Sequence, residues 1–357
     1  MNAFALFSAV AVSWLALRVL HRFAPRIGLL DHPGERRKIH RVAVPHVGGL
    51  ALFAGLLVGL ALAGEGGWWS APMLGAWLLV IVGTLDDQLQ LGPRLRLLAQ
   101  AGAALLLTLG GGVTLDSLGN LLGFGNIQLG IFAVPFTVFA MVGIINAFNM
   151  IDGIDGLAGG LALLALGCVL LIAPPQGHLL TVMLCIMGAL IPFLLCNLEL
   201  PGGRRCKVFL GDAGSLLLGY VVVWALVSAT QTPSGAGGAG IEAVTALWLV
   251  AIPLMDTLAV MLRRISLGRH PFEADQGHLH HLLSRYFNDQ RPALMLILAA
   301  AAAMAGMGLI GNVVNVNTPT LFYGALALFA TYLLLLRNAA RLYRRTRYRP
   351  RPVAPKI

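Results

Sequence analysis

Charge is what this sequence has least of. Only 11% of its 357 residues are Asp, Glu, Lys or Arg, against roughly a quarter in soluble domains, so an ordinary soluble enzyme is excluded. Acid is scarcer than base: 15 acidic against 25 basic residues give a formal net charge of +10. Cysteine is rare as well. Cys168, Cys185, Cys196 and Cys206 have no metal-ligand spacing and read as reduced thiols without a catalytic role. No aromatic-rich basic module accompanies the positive charge, so nucleic acid is not an expected partner, whereas anionic lipid and anionic substrates are. No internal repeat or second domain is visible. Residues 1–336 read as one polytopic transmembrane domain and 337–357 as a basic tail lying on the membrane surface.

What the chain has in abundance is apolar residues, at 58%. Windows of about 20 of them, enough to cross a bilayer, recur throughout. Eleven are readable: Asn2 to Leu20, Val47 to Ala63, Trp68 to Leu85, Leu97 to Gly112, Ile131 to Ala147, Leu157 to Ala173, Leu179 to Cys196, Ser215 to Ser228, Val244 to Leu262, Ala293 to Gly311 and Thr318 to Leu336. The expected fold is therefore an all-α integral membrane bundle of about eleven transmembrane helices. The first window lacks a basic flank before it and a small-residue cleavage site, and reads as a retained helix and not a signal peptide. With the N-terminus periplasmic and the C-terminus cytoplasmic, all 25 basic residues fall on the inner side, as the positive-inside rule asks. The outer loops then hold little beyond Glu65, Asp116 and a Ser/Gly-rich run. Chemistry is expected on the cytoplasmic face.

Polar groups in so apolar a chain need a reason. The stretch Asn146-Ala-Phe-Asn149-Met-Ile-Asp152-Gly-Ile-Asp155-Gly156 sets amides and carboxylates between two apolar windows. Asp152 and Asp155 are three apart, and Gly153 and Gly156 invite the backbone to open. Asn149 and Asp152 can hydrogen-bond the edge of a planar ring such as uracil, while Asp155 can equally cap the sixth helix. Asp86 and Asp87 end the third window; neighbours on a helix point about 100° apart, so one can face a cleft while the other is held by the protein. Phe209-Leu-Gly211-Asp212-Ala-Gly214-Ser215 opens the eighth. Asp212 is either a helix cap or a magnesium ligand, since hard cations take one or two carboxylates together with substrate phosphates. His278-Leu-His280-His281 follows Asp275 in the long inner loop from Arg263 to Pro292. Without further ligands at zinc spacing, phosphate or sugar binding suits these histidines better. Lys38 sits in a basic run, Arg36 to Arg41, that also serves as a topology signal. Asp256 lies inside the ninth window and must face protein or water. A transporter or cation channel, whose intramembrane carboxylates would mark an ion path, is the rival class. It predicts acids near mid-bilayer, whereas these cluster at inner helix ends.

Taken together, Asp86-Asp87, Asn146 to Leu157, Gly203 to Ser215, Ala251-Ile-Pro-Leu-Met-Asp256 and His278 to His281 resemble, in order and across roughly Asp31 to Leu283, the polyprenyl-phosphate N-acetylhexosamine-1-phosphate transferases. One departure is that Gln276 and Gly277 follow Asp275 where relatives often carry a basic residue. The resemblance implies a ten- or eleven-helix enzyme of the bacterial inner membrane. It would transfer GlcNAc-1-phosphate from UDP-GlcNAc to undecaprenyl phosphate, release UMP, and start O-antigen or related surface glycans. It also implies Mg²⁺, with Mn²⁺ as the alternative, held by Asp212 and Asp87. Asp86, Asp87, Asp155 and Asp212 would form the catalytic set. Lys38, Asn149, Asp152, Phe209, His278, His280 and His281 would bind substrate. Another UDP-N-acetylhexosamine stays open as donor, and a homodimer as the oligomeric state.

Overall fold

The structure is a computed structural model that describes residues 2–31, 43–203, 206–231, 240–270 and 277–347, the last ten as backbone. Lys38, the rest of its basic run, and Asp275 lie outside the described residues. Apart from one short antiparallel pairing, β1 (Leu30–Asp31) with β2 (Val44–Pro45), and the isolated bridges His46 to Phe209 and Ser117 to Gln128, the secondary structure described is helical. In chain order the helices are α1 (Asn2–Phe23), α2 (Gly48–Leu62), α3 (Ala71–Leu89), α4 (Pro93–Leu105), α5 (Ala133–Ile151), α6 (Leu157–Ile172) and α7 (His178–Asn197). There follow α8 (Gly211–Thr230), α9 (Ala243–Leu249), α10 (Ala251–Ser266), α11 (Leu279–Phe287), α12 (Gln290–Val313) and α13 (Thr318–Arg347).

Each apolar window of the sequence falls on a helix. Among the described residues six helices are long and apolar enough to cross a membrane: α1, α5, α7, α8, α12 and the first two-thirds of α13. A seventh arises if α9 and α10, bent by 79° at their junction, make one broken span. α2 and α6 are apolar but shorter. The chain is a multi-pass helical membrane protein on these grounds.

Three details depart from the sequence expectation. The eighth window, the shortest to the eye, is a helix of 20 residues, because Gly211-Asp212-Ala-Gly214 already form its first turn. The ninth is two helices: Pro253 cannot donate to the Leu249 carbonyl and its ring crowds that oxygen, so the helix breaks at Val250. The long inner loop is not all loop, since it contains α11.

At the centre stands α8, apolar on every side and buried from Ala213 to Val227, as a helix enclosed by others should be. It packs against α2, α3, α5, α6, α7 and α9. Its first turn is wedged between α2 and α3 where small residues let backbones approach. A Cβ at Gly49 would lie 2.2 Å from the Gly214 nitrogen, and one at Gly83 would lie 2.4 Å from that of Ala213. This wedge fixes Asp212 beside the C-terminal end of α3. Because α2 to α8 alternate in direction, the N-terminal ends of α2, α4, α6 and α8 share one end of the bundle with the C-terminal ends of α3, α5 and α7. The residues that the sequence marked for chemistry sit there.

Candidate active site

A pocket of about 500 Å³ opens at that end of the bundle, within the size range of small-ligand sites. It is lined by Asp31, His46, Asp87, Asn149, Asp152, Gly153, Asp155, Glu199, Lys207, Phe209, Asp212 and His281, among others. Of the sequence-marked residues, Asp87, Asn149, Asp152, Asp155, Phe209, Asp212 and His281 thus converge on one cavity. Asp86, His278 and His280 are packed behind it, at 5%, 5% and 1% exposure.

Asp212 does not cap α8. The helix starts after Leu210 without a side-chain cap, and both carboxylate oxygens of Asp87 accept the Asp212 N–H at 3.0 Å. Asp87 therefore caps α8 from the end of α3. That frees the Asp212 side chain, whose Oδ1 accepts from the Asn149 amide at 2.6 Å. Asn149 also donates to Ser215 Oγ at 3.0 Å, so here it orients Asp212. Asp86, the other member of the pair, accepts from Arg96 Nη1 at 2.9 Å, and the same nitrogen stands 3.7 Å from Asp212 Oδ2. Arg96 thus bridges Asp86 and Asp212.

Asp155 does not cap its helix either. Gly156, at φ +78°, precedes α6, and its N–H is taken by Asn197 Oδ1 at 2.6 Å. Lys207 Nζ donates to Asp155 Oδ2 at 2.6 Å and also to the Asn197 carbonyl. Phe209 is held on the wall by backbone bonds to Pro45 and Gly48. Its ring lies 5.7 Å from that of His46 and 5.9 Å from Lys207 Nζ.

Burial and neighbouring charge together set the protonation of the pocket wall. Burial raises the Asp152 carboxyl, His46 opposes, and the charges of Asp155 and Asp87 add to the rise, leaving it at about 7. For His46, burial works against the imidazolium. The bond to Asp87 (Nδ1 to Oδ1, 3.3 Å) and the charges of Asp87, Asp31 and Asp152 outweigh it and hold the pKa above 6.5. Both folded-state values exceed the unfolded ones, so the folded protein binds these protons more tightly and loses stability as pH rises. For Asp152 the loss runs from its unfolded value near 4 to about 7; for His46 it starts near 6.5 and continues upward. Asp152→Asn removes the first part. The variant is expected to melt a few degrees above wild type at pH 8, with the gain vanishing toward pH 4. A scan of Tm against pH in detergent checks this, and an equal gain at both pH values would refute it.

The histidines divide. His281 lines the pocket. His280 is stacked between His278 and His281, with ring centroids 5.6 and 4.2 Å away, and its ring presses on Gly153. Burial and the neighbouring His281 push its pKa down to about 3, against Asp256, which matches a neutral ring packed on Gly153. His278 faces away, toward Asp256. The four cysteines are free and buried.

Residues 69–230 match glycosyl transferase family 4. The chain is also similar over most of its length to proteins named undecaprenyl-phosphate alpha-N-acetylglucosaminyl 1-phosphate transferase. The protein from Yersinia pestis is 38% identical, over 83% of this chain and 80% of its own. That from Haemophilus influenzae is 37% identical over 93% of both, and that from Escherichia coli K12 is 35% identical over 86% and 83%. The chain belongs to the polyprenyl-phosphate N-acetylhexosamine-1-phosphate transferase family.

For a member of this transferase family, the residues on and behind the pocket wall include some that spacing alone did not bring out. Arg96 is one of many loop arginines by sequence and becomes distinctive only through its reach to Asp86 and Asp212. Lys207 and Asn197 are far from Asp155 along the chain but bind it. His46, on the pocket wall, carried one usable signal: it directly precedes Val47-Gly48-Gly49, the small-residue start of α2.

Proposed function

We propose that this chain transfers GlcNAc-1-phosphate from UDP-GlcNAc to undecaprenyl phosphate, giving undecaprenyl-diphospho-GlcNAc and UMP. The observation that carries the reading is the meeting of Asp87, Asp152, Asp155 and Asp212 on the wall of one pocket, with Asp86 and Arg96 joined to Asp212 from behind it, in a chain of this family. It works at the cytoplasmic face of a bacterial inner membrane, in a bundle that crosses eleven times with its N-terminus periplasmic, and it supplies the first step of a surface glycan such as O-antigen.

Among the described residues the pocket lining has six carboxyl groups, Asp31, Asp87, Asp152, Asp155, Glu199 and Asp212, against a single Lys or Arg, Lys207. A diphosphate would be repelled by such a wall unless a cation entered with it. The donors are carboxylate oxygens, which suit a hard divalent ion. Among the described residues no three His, Cys, Asp or Glu side chains form a metal cage, so the ion would need substrate phosphates beside one or two carboxylates. Asp212 would hold Mg²⁺ or Mn²⁺, with Asp87 beside it. Such an ion supplies charge neutralisation between the donor diphosphate and the incoming acceptor.

The chain's own groups do the rest. Asn149 and Asp87 fix Asp212, and Asp86 holds Arg96 next to it. Asp152 and Phe209 offer the uracil edge and face, Lys207 and Arg96 offer cations to phosphate oxygens, and His281 reaches the sugar side. A phosphate monoester has its second pKa near 6, so the acceptor arrives largely dianionic and asks little of a general base. One of its oxygens bonds to the β-phosphorus of UDP-GlcNAc, the bond from that phosphorus to the UMP oxygen breaks, and UMP leaves with the electron pair.

Membranes containing the protein, given radiolabelled UDP-GlcNAc and undecaprenyl phosphate, are expected to form labelled lipid and one UMP per lipid. EDTA should reduce the rate to background and added Mg²⁺ should restore it. Absence of UMP release, or ion flux in its place, overturns the function. EDTA-insensitive turnover overturns the metal. Labelled sugar-phosphate trapped on the protein without acceptor overturns direct attack.

A further inference from the structure

Asp256 is a carboxylate inside α10 with 1% exposure, where an unpaired charge would be very costly. Its Oδ2 lies 2.8 Å from His278 Nδ1. Its Oδ1 accepts the Leu279 N–H at 2.9 Å and the Tyr332 hydroxyl at 2.8 Å. His278 and Leu279 are the N-cap and first residue of α11, and α11 has no side-chain cap from His278 itself. The Asp256 carboxylate therefore does the capping from another helix, as Asp87 does for α8. His278 Nε2 stands 3.5 Å from Arg264 Nη2, and Arg264 is 2% exposed, so the imidazole is gripped from both sides.

The third donor comes from α13. The apolar span of that helix is only 6% buried, yet it sends Tyr332 into the bundle to meet Asp256. Tyr332 lies beyond the stretch 69–230 that matches the family. The hydroxyl orients Oδ1 toward the Leu279 amide, which sets the start of α11. α11 in turn carries His280, packed on Gly153, and His281, on the pocket wall.

We propose that Tyr332 and Asp256 are positioning residues: they hold the α11 histidine arm against the pocket and so set the affinity for the nucleotide sugar. The second half rests on the function proposed above. The first half can be tested without it. Full-length wild type, Tyr332→Phe and Asp256→Asn would be compared by amide hydrogen exchange in detergent and by kinetics in membranes. Tyr332→Phe keeps the ring and removes one hydrogen bond, so it is the variant that decides if Asp256→Asn fails to fold. Its exchange across residues 279–287 is expected to speed up by about fivefold, the equilibrium equivalent of one hydrogen bond, with α8 amides unchanged and Tm lower by no more than a few degrees. KM for UDP-GlcNAc should rise by a similar factor, while kcat and the KM for undecaprenyl phosphate stay put. Exchange in 279–287 that matches wild type overturns the proposal. Faster exchange with an unchanged KM for UDP-GlcNAc overturns its link to substrate. If wild type forms no product from UDP-GlcNAc, the function fails, and the exchange result alone still decides the tie between α13 and α11.

Discussion

Asp212→Asn is expected to lower the rate of labelled-lipid formation on the order of 10³-fold, the scale on which a charge-stabilising group acts in phosphoryl transfer. The fold should survive. Asparagine has the same shape, its Oδ1 can still accept from Asn149, and the Asp212 N–H that Asp87 caps is backbone. What disappears is one negative charge from a place where Asp86 and Asp212 share Arg96. Losing it relieves like-charge repulsion, so Tm should hold or rise while turnover collapses. That combination separates a charge role from a structural one. Initial rates in membranes and Tm of the purified variant measure the two. Turnover near the wild-type level would remove Asp212 from the centre of the reaction.

Gly153→Ala should cost about 10²-fold, the penalty of a displacement near 1 Å in a site. A Cβ at Gly153 would lie 2.0 Å from His280 Nε2, well inside contact distance. The ring has nowhere to go, for His280 is 1% exposed and packed between two other imidazoles. The turn from Asp152 to Gly156 and the histidine arm must therefore part, which moves His281 and Asp152 together. The double variant Gly153→Ala, His280→Ala removes the clash and should recover most of the loss. A double variant no better than Gly153→Ala would show that Gly153 is needed for its backbone and not for the room it leaves.

Much of the site was legible because polar residues stand out against an apolar chain. Asp86-Asp87, Asn149 to Asp155, Asp212 and the His278 to His281 cluster could all be found by asking why a charge or amide is there. The expectation that one of Asp86 and Asp87 faces a cleft while the other is held by the protein follows from helical geometry; Asp87 lines the pocket and Asp86 is packed on Arg96. The ambiguity over caps was not resolvable along the chain. Asp155 and Asp212 both sit where a cap would, but the caps come from Asn197 and Asp87. The family resemblance assigns all three histidines to substrate; packing points His278 at Asp256, buries His280 against Gly153 and leaves His281 on the pocket wall.

The sequence by itself determined that this is a multi-pass helical protein, which windows are helices, and which residues are too polar to be there without purpose. Those properties depend on neighbours a few positions apart: the length of an apolar run and the period of a helix. The tertiary structure decided which of those residues share a cavity, that α8 is the buried axis, and that Arg96, Lys207, Asn197 and Tyr332 are the partners of Asp86, Asp155 and Asp256. Each of these pairs bridges separate helices or the loops between them. Its existence rests on how elements distant along the chain pack against one another, a quantity that no local stretch of chain contains.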